Sequence, residues 1–196
     1  MKKKTILSEL KKAPNLITLT RYVLLPFLYY FAYTKQIVIF VILFIISGLS
    51  DYIDGYIARK LNQCSTFGAN MDRIADELTQ FSALAFLFFI AKETLLDYAV
   101  PISVAVILAI INKAINIFFF KNKNSFHTIS AKASGYLFYI SFSISFLFNI
   151  RQAILPYIFI ISIDQFEEIL IIIKYKTINE NIRSIFTAKQ DLKKHE

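Results

Sequence analysis

The chain has 196 residues, a formal net charge of +8 at pH 7, and 56% hydrophobic residues with 20 Phe but only 4 Gly. Together with a mean hydropathy of +0.53, this excludes an ordinary soluble domain and indicates a helical membrane protein. The single Cys64 excludes an intrachain disulfide. The basic residues flank apolar runs without a nucleic-acid-binding motif, which argues against nucleic acid as a partner.

The basic N-terminal segment, residues 1–13, is expected to lie at the membrane surface. Its sequence KKKTILSELKKA, residues 2–13, fits a short interfacial amphipathic helix with Ile6, Leu7 and Leu10 toward the lipid. A basic tail that only sets the topology is the alternative. Because the segment lacks the apolar run and cleavage site of a secretory signal peptide, the first span is expected to direct insertion.

Six apolar runs are each long enough to cross a bilayer, which takes about 20 helical residues. They lie at residues 16–33, 37–56, 74–91, 98–120, 135–150 and 153–173. These runs lack the alternation of a membrane β-barrel strand. The sequence therefore predicts an all-α membrane protein of one domain, residues 1–196, with six transmembrane helices.

Lys and Arg are unevenly distributed among the connections, and this distribution predicts the orientation. Five lysines precede Pro14. Further basic residues occupy the second-to-third connection, the fourth-to-fifth connection and the tail at 174–196: Arg59, Lys60, Arg73, Lys121, Lys123, Lys132, Lys174, Lys176, Arg183, Lys189, Lys193 and Lys194. The other connections carry only Lys35, Lys92 and Arg151. Both termini and the second-to-third connection are therefore expected on the cytoplasmic side, where anionic lipid headgroups attract basic residues by about 1 kcal/mol each.

The segment DYIDGYIARKLNQCSTFGANMDRIAD, residues 51–76, carries the candidate site. Asp51 and Asp54 stand three positions apart at the end of the second helix and so share one helix face. Asp72 and Asp76 stand four positions apart at the start of the third helix and do the same. Carboxylates near membrane depth are costly and usually mark function, so two facing helix ends would gather four functional carboxylates.

Such a cluster repels itself unless cations neutralise it. Hard divalent ions fit, Mg²⁺ or Mn²⁺ before zinc, because the pattern contains neither His nor Cys. Two ions about 4 Å apart can clamp a phosphoryl group, so the cluster indicates phosphoryl chemistry. Gly55 and Gly68 remove side chains where a ligand or backbone can approach. Arg59, about one turn beyond Asp54, can reach phosphate oxygens with its planar fork.

The stretches DYIDGYIAR and GANMDRIAD, separated by eight residues, match D-x-x-D-G-x-x-A-R-x8-G-x-x-x-D-x-x-x-D at every defined position. In this the chain resembles the CDP-alcohol phosphatidyltransferase family, whose signature this is. The preceding PNLITLTR, residues 14–21, is similar to the P-N-x-x-T-x-x-R sequence of bacterial phosphatidylglycerophosphate synthases. The resemblance implies a membrane-embedded bundle whose cytoplasmic cavity binds CDP-diacylglycerol.

The resemblance also implies roles for individual residues. Two divalent cations would be held by Asp51, Asp54, Asp72 and Asp76. The CDP moiety would be lined by Asp51, Gly55, Ala58, Arg59 and Gly68, with Arg59 on its phosphates. Asp76 would also be the catalytic base that takes the proton of the acceptor hydroxyl, after which the alkoxide attacks the lipid-bearing phosphorus and CMP departs.

Lys113, inside the fourth span, bears on the acceptor alcohol. It lies eight residues before Lys121, about 12 Å deeper along a helix, and a lysine at that depth needs an anionic partner. The pair is similar to two basic residues on the fourth helix of phosphatidylglycerophosphate synthases, and Lys132 resembles the basic residue that follows them. The resemblance thus implies that these lysines bind the phosphate of glycerol 3-phosphate. Lys113 could instead snorkel to the interface or pair with Glu167 or Glu168, unless the sixth helix ends early and exposes both glutamates.

The acceptor stays open, because the lysine-threonine-glutamine run expected after Lys132 is absent. Inositol phosphate, phosphatidylglycerol as in a cardiolipin synthase, or another polar alcohol are the alternatives, and His127 is expected to be an ordinary loop residue. A cation transporter with a carboxylate-lined path and an inactive scaffold are two further classes. The aromatic faces at 118–120 and 138–148 could bury a homodimer interface or contact lipid.

Overall fold

The structure is a computed structural model that describes residues 8–120, 128–175, 182 and 184–188. The elements in these ranges are α1 Ala13–Tyr33, α2 Ile37–Lys60, α3 Thr66–Ile90, α4 Lys92–Asp97, α5 Ala99–Phe120, α6 Ile129–Phe148, a 3₁₀ turn Arg151–Ile154 and α7 Leu155–Tyr175. Every regular element described is helical, which confirms the predicted all-α class. Residues 8–10 are also helical, but residues 1–7 of the predicted interfacial helix lie outside the described residues.

Among the described residues, two helices have the length and composition of a membrane span. These are α1, with a mean hydropathy of 1.2, and α2, with 2.1, and the first part of α5, Ala99–Ile115, is a shorter apolar stretch. The first two predicted spans fall within α1 and α2. The other four overlap long helices and stay predictions as membrane spans, in part because α3 and α7 each carry several charged residues.

Local sequence explains how α2 ends and α3 begins so close together. Asn62 takes a positive φ of 53°, and the N–H of Gln63 donates to the carbonyl of Ala58 at 2.9 Å, which is the Schellman arrangement that ends a helix. Ser65 then caps α3, because its hydroxyl accepts the N–H of Gly68 at 3.1 Å. The connection at 61–65 therefore turns the chain back within five residues.

The chain divides into two compact units. The first comprises Met1–Leu95 and Phe146–Ile150, and in it α1 packs against both α2 and α3. Its interior is aromatic: the ring of Phe40 lies 5.6 Å from that of Phe44 and 5.0 Å from that of Phe86, and all three are fully buried. Ring pairs of this kind contribute about 0.5–1.5 kcal/mol each beyond area burial.

The second unit comprises Leu96–Ser145 and Arg151–Glu196, and in it α5 packs against α7. Ile182 and Ala188, in the predicted basic tail, are buried together with Ile171 and Ile172 of α7. The described part of that tail therefore packs against the helix before it. That residues 1–196 form one domain, with an interfacial segment at 1–13 and a cytoplasmic tail at 174–196, stays a prediction.

The predicted aromatic faces divide into buried and exposed rings. Phe138, Phe142 and Phe146 are buried within the chain, whereas Phe118 is 82% exposed and Phe148 is 68% exposed. The three buried rings belong to the core and are unavailable to a second copy of the chain. The homodimer stays a prediction, carried by the exposed rings.

Candidate active site

Four aspartates, which we call the aspartate site, converge where α2 ends and α3 begins: Asp51, Asp54, Asp72 and Asp76. Asp51, Asp72 and Asp76 each offer one carboxylate oxygen, and these atoms all lie within 4.8 Å of one another. Asp54 is buried and accepts a hydrogen bond from Thr18 Oγ1 at 2.6 Å. The structure thus brings together the carboxylates that the sequence singled out.

Arg21 of α1 lies among these aspartates, although it is not one of the predicted site residues. Its side chain is 1% exposed, with Nη1 3.0 Å from Asp51 Oδ1 and Nη2 3.7 Å from Asp54 Oδ2. Nη1 also pairs with Asp76 and Nη2 with Asp72. One guanidinium therefore contacts all four carboxylates and offsets only one of their charges.

The aspartate site suits divalent cations by its chemistry. Its donors are hard carboxylate oxygens that come from two helices, which is the donor type that Mg²⁺ and Mn²⁺ prefer. The four carboxylates outnumber the one base among them, so the negative charge that they carry when ionised needs further cations. The described residues accordingly fit the predicted metal site, whereas the identity and number of the ions stay predictions.

Residues of α1 make further hydrogen bonds near the aspartate site. Tyr22 donates its hydroxyl to the carbonyl of Met71 at 2.6 Å, and Asn15 donates its side-chain amide to the carbonyl of Glu9 at 2.8 Å. Glu9 also pairs with Lys12 at 2.6 Å, and this contact lowers the pKa of its carboxyl.

The signal for these α1 residues was present in the sequence. Asn15, Thr18 and Arg21 are the N, T and R of PNLITLTR, which was used only as a family resemblance. An arginine inside an apolar span is itself a sign of function, and that sign identifies Arg21 without the structure.

The two site glycines differ in what surrounds them. A Cβ added at Gly68 would lie 2.5 Å from Asn15 Oδ1 and 3.3 Å from Ser65 Oγ, so α1 leaves no room for a side chain there. A Cβ at Gly55 would meet only Arg59, at an ordinary 3.5 Å. The close approach at Gly68 is thus explained by helix packing, and the role of both glycines toward CDP stays a prediction.

Arg59 is exposed on α2 beside Gly55. Its guanidinium makes no ion pair within the described ranges. The planar fork is therefore available for an anionic ligand, as the sequence predicts for Arg59 with CDP. Ala58, the preceding residue, is half-buried.

The three lysines assigned to the acceptor phosphate differ in their exposure, and one of them lies outside the described residues. Lys113 is half-buried on α5, Lys132 is exposed in the first turn of α6, and Lys121 lies outside the described residues, as does His127. Arg151, which the charge distribution predicts on the outer side, pairs with Asp97 at 2.8 Å. The role of the lysines stays a prediction.

Three acidic side chains of α7 form a second group, which we call the α7 acidic cluster: Asp164, Glu167 and Glu168. Asp164 accepts the Thr128 hydroxyl at 2.7 Å, and Glu167 accepts the backbone N–H of Ile185 at 2.8 Å. Glu168 is 8% exposed and accepts the side-chain amide of Asn112. The alternative that the sixth helix ends before these glutamates is wrong, because α7 continues to Tyr175.

The sequence of the chain is similar to those of several known proteins. A family model described as CDP-alcohol phosphatidyltransferase matches residues 11–167. The CDP-diacylglycerol–glycerol-3-phosphate 3-phosphatidyltransferase of Aquifex aeolicus is 40% identical over 83 residues, which cover 42% of this chain and 46% of that protein. The enzyme of the same name from Pseudomonas fluorescens is 39% identical over 77 residues, 38% of this chain and 40% of that protein. These alignments span less than half the length of the relatives, and no solved structure matches the chain.

Proposed function

Because the chain belongs to the CDP-alcohol phosphatidyltransferase family, we propose that it transfers the phosphatidyl group of CDP-diacylglycerol to glycerol 3-phosphate. The products are phosphatidylglycerophosphate and CMP. The observation that carries this proposal is the convergence of carboxylate oxygens from Asp51, Asp72 and Asp76 within 4.8 Å of one another. The names of the relatives favour glycerol 3-phosphate over phosphatidylglycerol and inositol phosphate.

The aspartate site would hold two divalent cations, Mg²⁺ or Mn²⁺. When bound, such ions neutralise negative charge on the diphosphate and polarise its phosphorus–oxygen bonds. The support for this assignment is the all-oxygen donor set and the excess of carboxylates over the single guanidinium of Arg21. A cation transporter would use the same carboxylates but would have no need of the exposed fork of Arg59.

The chain's own residues would carry out proton transfer and substrate positioning. Asp76 takes the proton of the acceptor hydroxyl onto a carboxylate oxygen, and that hydroxyl oxygen then bonds to the lipid-bearing phosphorus while the bond to CMP breaks. Arg59 binds phosphate oxygens of the CDP moiety through its guanidinium. The other residues assigned to ligands are Asp51, Gly55, Ala58 and Gly68 for CDP, and Lys113, Lys121 and Lys132 for the acceptor phosphate.

The protein acts within the membrane, since its donor substrate is a lipid. We place six spans in the bilayer with both termini and the aspartate site on the cytoplasmic side. The support is the uneven distribution of Lys and Arg among the connections and the apolar composition of α1 and α2. Membrane lipids, and a second copy of the chain through exposed rings such as Phe118, are the proposed partners.

A panel of acceptors tests the function. Purified protein is incubated with CDP-diacylglycerol, Mg²⁺ or Mn²⁺, and glycerol 3-phosphate, inositol phosphate, serine or phosphatidylglycerol, and CMP release is measured. We expect CMP with glycerol 3-phosphate only, and none in the presence of a chelator. Release with another acceptor alone would reassign the substrate. Cation flux in proteoliposomes without CMP formation would replace the transferase by a transporter.

A further inference from the structure

Arg21 occupies an unusual position for a positively charged side chain. It lies on α1, an apolar helix, and its side chain is 1% exposed where its guanidinium meets the aspartate site. Each terminal nitrogen serves two carboxylates: Nη1 contacts Asp51 and Asp76, and Nη2 contacts Asp54 and Asp72. No other Lys or Arg within the described ranges is paired with these aspartates.

The atoms that Arg21 contacts are the kind of atoms that a cation would need. Its pairs end on Oδ1 of Asp51, Asp72 and Asp76, the three residues whose carboxylate oxygens lie within 4.8 Å of one another. An ion held by these oxygens would stand about 2.0–2.6 Å from each. It would therefore lie next to a guanidinium of the same sign, and the two would repel.

We infer that Arg21 is an internal counter-ion of the aspartate site. It holds the four carboxylates together while no divalent cation is bound, and it gives up part of its ion pairs when cations bind. Arg21 is thus a positioning residue whose own charge opposes cation binding. The inference rests on the proposed function, because it takes the aspartates to be cation ligands.

The chemistry of arginine suits this task. A guanidinium stays charged in proteins, and its planar fork reaches several oxygens at once, which a lysine ammonium on its flexible stem does less well. Nε of Arg21 has no hydrogen-bond partner in the part of the chain described. The guanidinium is therefore held through its terminal nitrogens alone, and its withdrawal breaks no bond at Nε.

Three variants test the inference: Arg21→Gln, Arg21→Lys and, as a matched control, Arg73→Gln. Arg73 also lies in the first unit, but it pairs with Glu77 at 2.8 Å instead of the aspartate site. Each protein is purified in Mg²⁺ and then freed of cations with a chelator. Its thermal unfolding midpoint is measured with and without Mn²⁺, and its Mn²⁺ affinity is measured by electron paramagnetic resonance.

We expect Arg21→Gln to unfold at a lower temperature without cations and to recover most of that loss with Mn²⁺. Its Mn²⁺ affinity should rise by about tenfold, and that of Arg21→Lys by about threefold, because a neighbouring like charge has been removed or loosened. Arg73→Gln should behave as the wild type in both measurements. A merely structural arginine would change the midpoint without raising the Mn²⁺ affinity.

The outcomes separate the inference from the function on which it rests. Mn²⁺ affinities equal to or weaker than that of the wild type in the Arg21 variants would overturn the counter-ion role. If Arg21→Gln does not fold even with Mn²⁺, the Mn²⁺ affinity of Arg21→Lys relative to that of the wild type decides whether Arg21 is a counter-ion. Absence of Mn²⁺ binding in the wild type would instead refute the cation site itself and with it the proposed function.

Discussion

The aspartate site and the α7 acidic cluster are two groups of carboxylates with opposite surroundings. In the aspartate site, four carboxylates converge on a single guanidinium, that of Arg21. In the α7 acidic cluster, each carboxylate has its own uncharged donor, such as the hydroxyl of Thr128, the amide of Asn112 or the backbone N–H of Ile185. The aspartate site therefore concentrates negative charge, whereas the carboxylates of the α7 acidic cluster are each satisfied by hydrogen bonds from uncharged groups.

This difference distinguishes a functional carboxylate, which needs a ligand, from a structural one, which is satisfied by its neighbours. Buried polar groups are stable when neighbours satisfy them, and the α7 acidic cluster meets that condition within its own unit. Glu167 even fixes residues of the C-terminal segment, because it accepts the Ser184 hydroxyl at 2.8 Å as well as a backbone N–H. We therefore regard the α7 acidic cluster as a structural network and the aspartate site as the one that needs ligands.

The largest effect should come from Asp76→Asn. An amide cannot take a proton from the acceptor hydroxyl, so CMP release should fall by about a thousandfold, as for loss of a general base. Asp97→Asn is the matched control, because Asp97 is exposed and pairs with Arg151, and it should keep wild-type activity. CMP release at the wild-type rate by Asp76→Asn would refute the assigned base.

An intermediate effect is expected from Gly68→Ala. The new methyl group would lie 2.5 Å from Asn15 Oδ1, so either the Asn15 side chain must shift, at the cost of its hydrogen bond to Glu9, or α1 must move and displace Arg21. We expect CMP release to fall by about tenfold, because small misplacements of positioning groups are costly, and the unfolding midpoint to fall as well. Gly135→Ala, where nothing lies within 4 Å of the new atom, should match or exceed the stability of the wild type.

The smallest effect on activity should come from Glu168→Gln, which tests the other half of the comparison. The glutamine oxygen can still accept the amide of Asn112, so we expect a loss of about 1 kcal/mol of stability and CMP release within about twofold of the wild type. Thermal unfolding and the CMP assay measure both. Loss of activity at an unchanged midpoint would place the α7 acidic cluster in the functional site and remove the contrast.

Much of this architecture could be predicted from the sequence, because apolar runs and carboxylate spacing are local signals. Helix boundaries could not be predicted in this way, because an apolar run shows which part of a helix suits lipid but does not show where the helix ends. The third predicted span begins at residue 74, whereas α3 begins at Thr66, next to its Ser65 cap. The second span ends at 56 in the prediction, but α2 continues to Lys60.

Contacts between residues far apart in the sequence also could not be predicted. Arg21 lies 30 positions before Asp51, and no spacing rule connects α1 to α2 or to α3. The partners of Asp164 likewise come from residues 128 and 130, which depend on how two helices of the second unit pack. The sequence singled out the four aspartates, Glu167 and Glu168 but not Asp164, and only tertiary structure showed which of the two groups had its hydrogen bonds already satisfied.

The connection at 61–65 restricts the insertions and deletions that this chain can tolerate during evolution. It is short, its first half is closed by a backbone hydrogen bond at Gln63, and its last residue caps α3. One inserted residue would disturb the backbone hydrogen bond at Gln63 or the cap at Ser65, and it would so shift Asp72 and Asp76 relative to Asp51 and Asp54. Insertions and deletions among natural variants should therefore accumulate in other connections, and the length of this one should hardly vary.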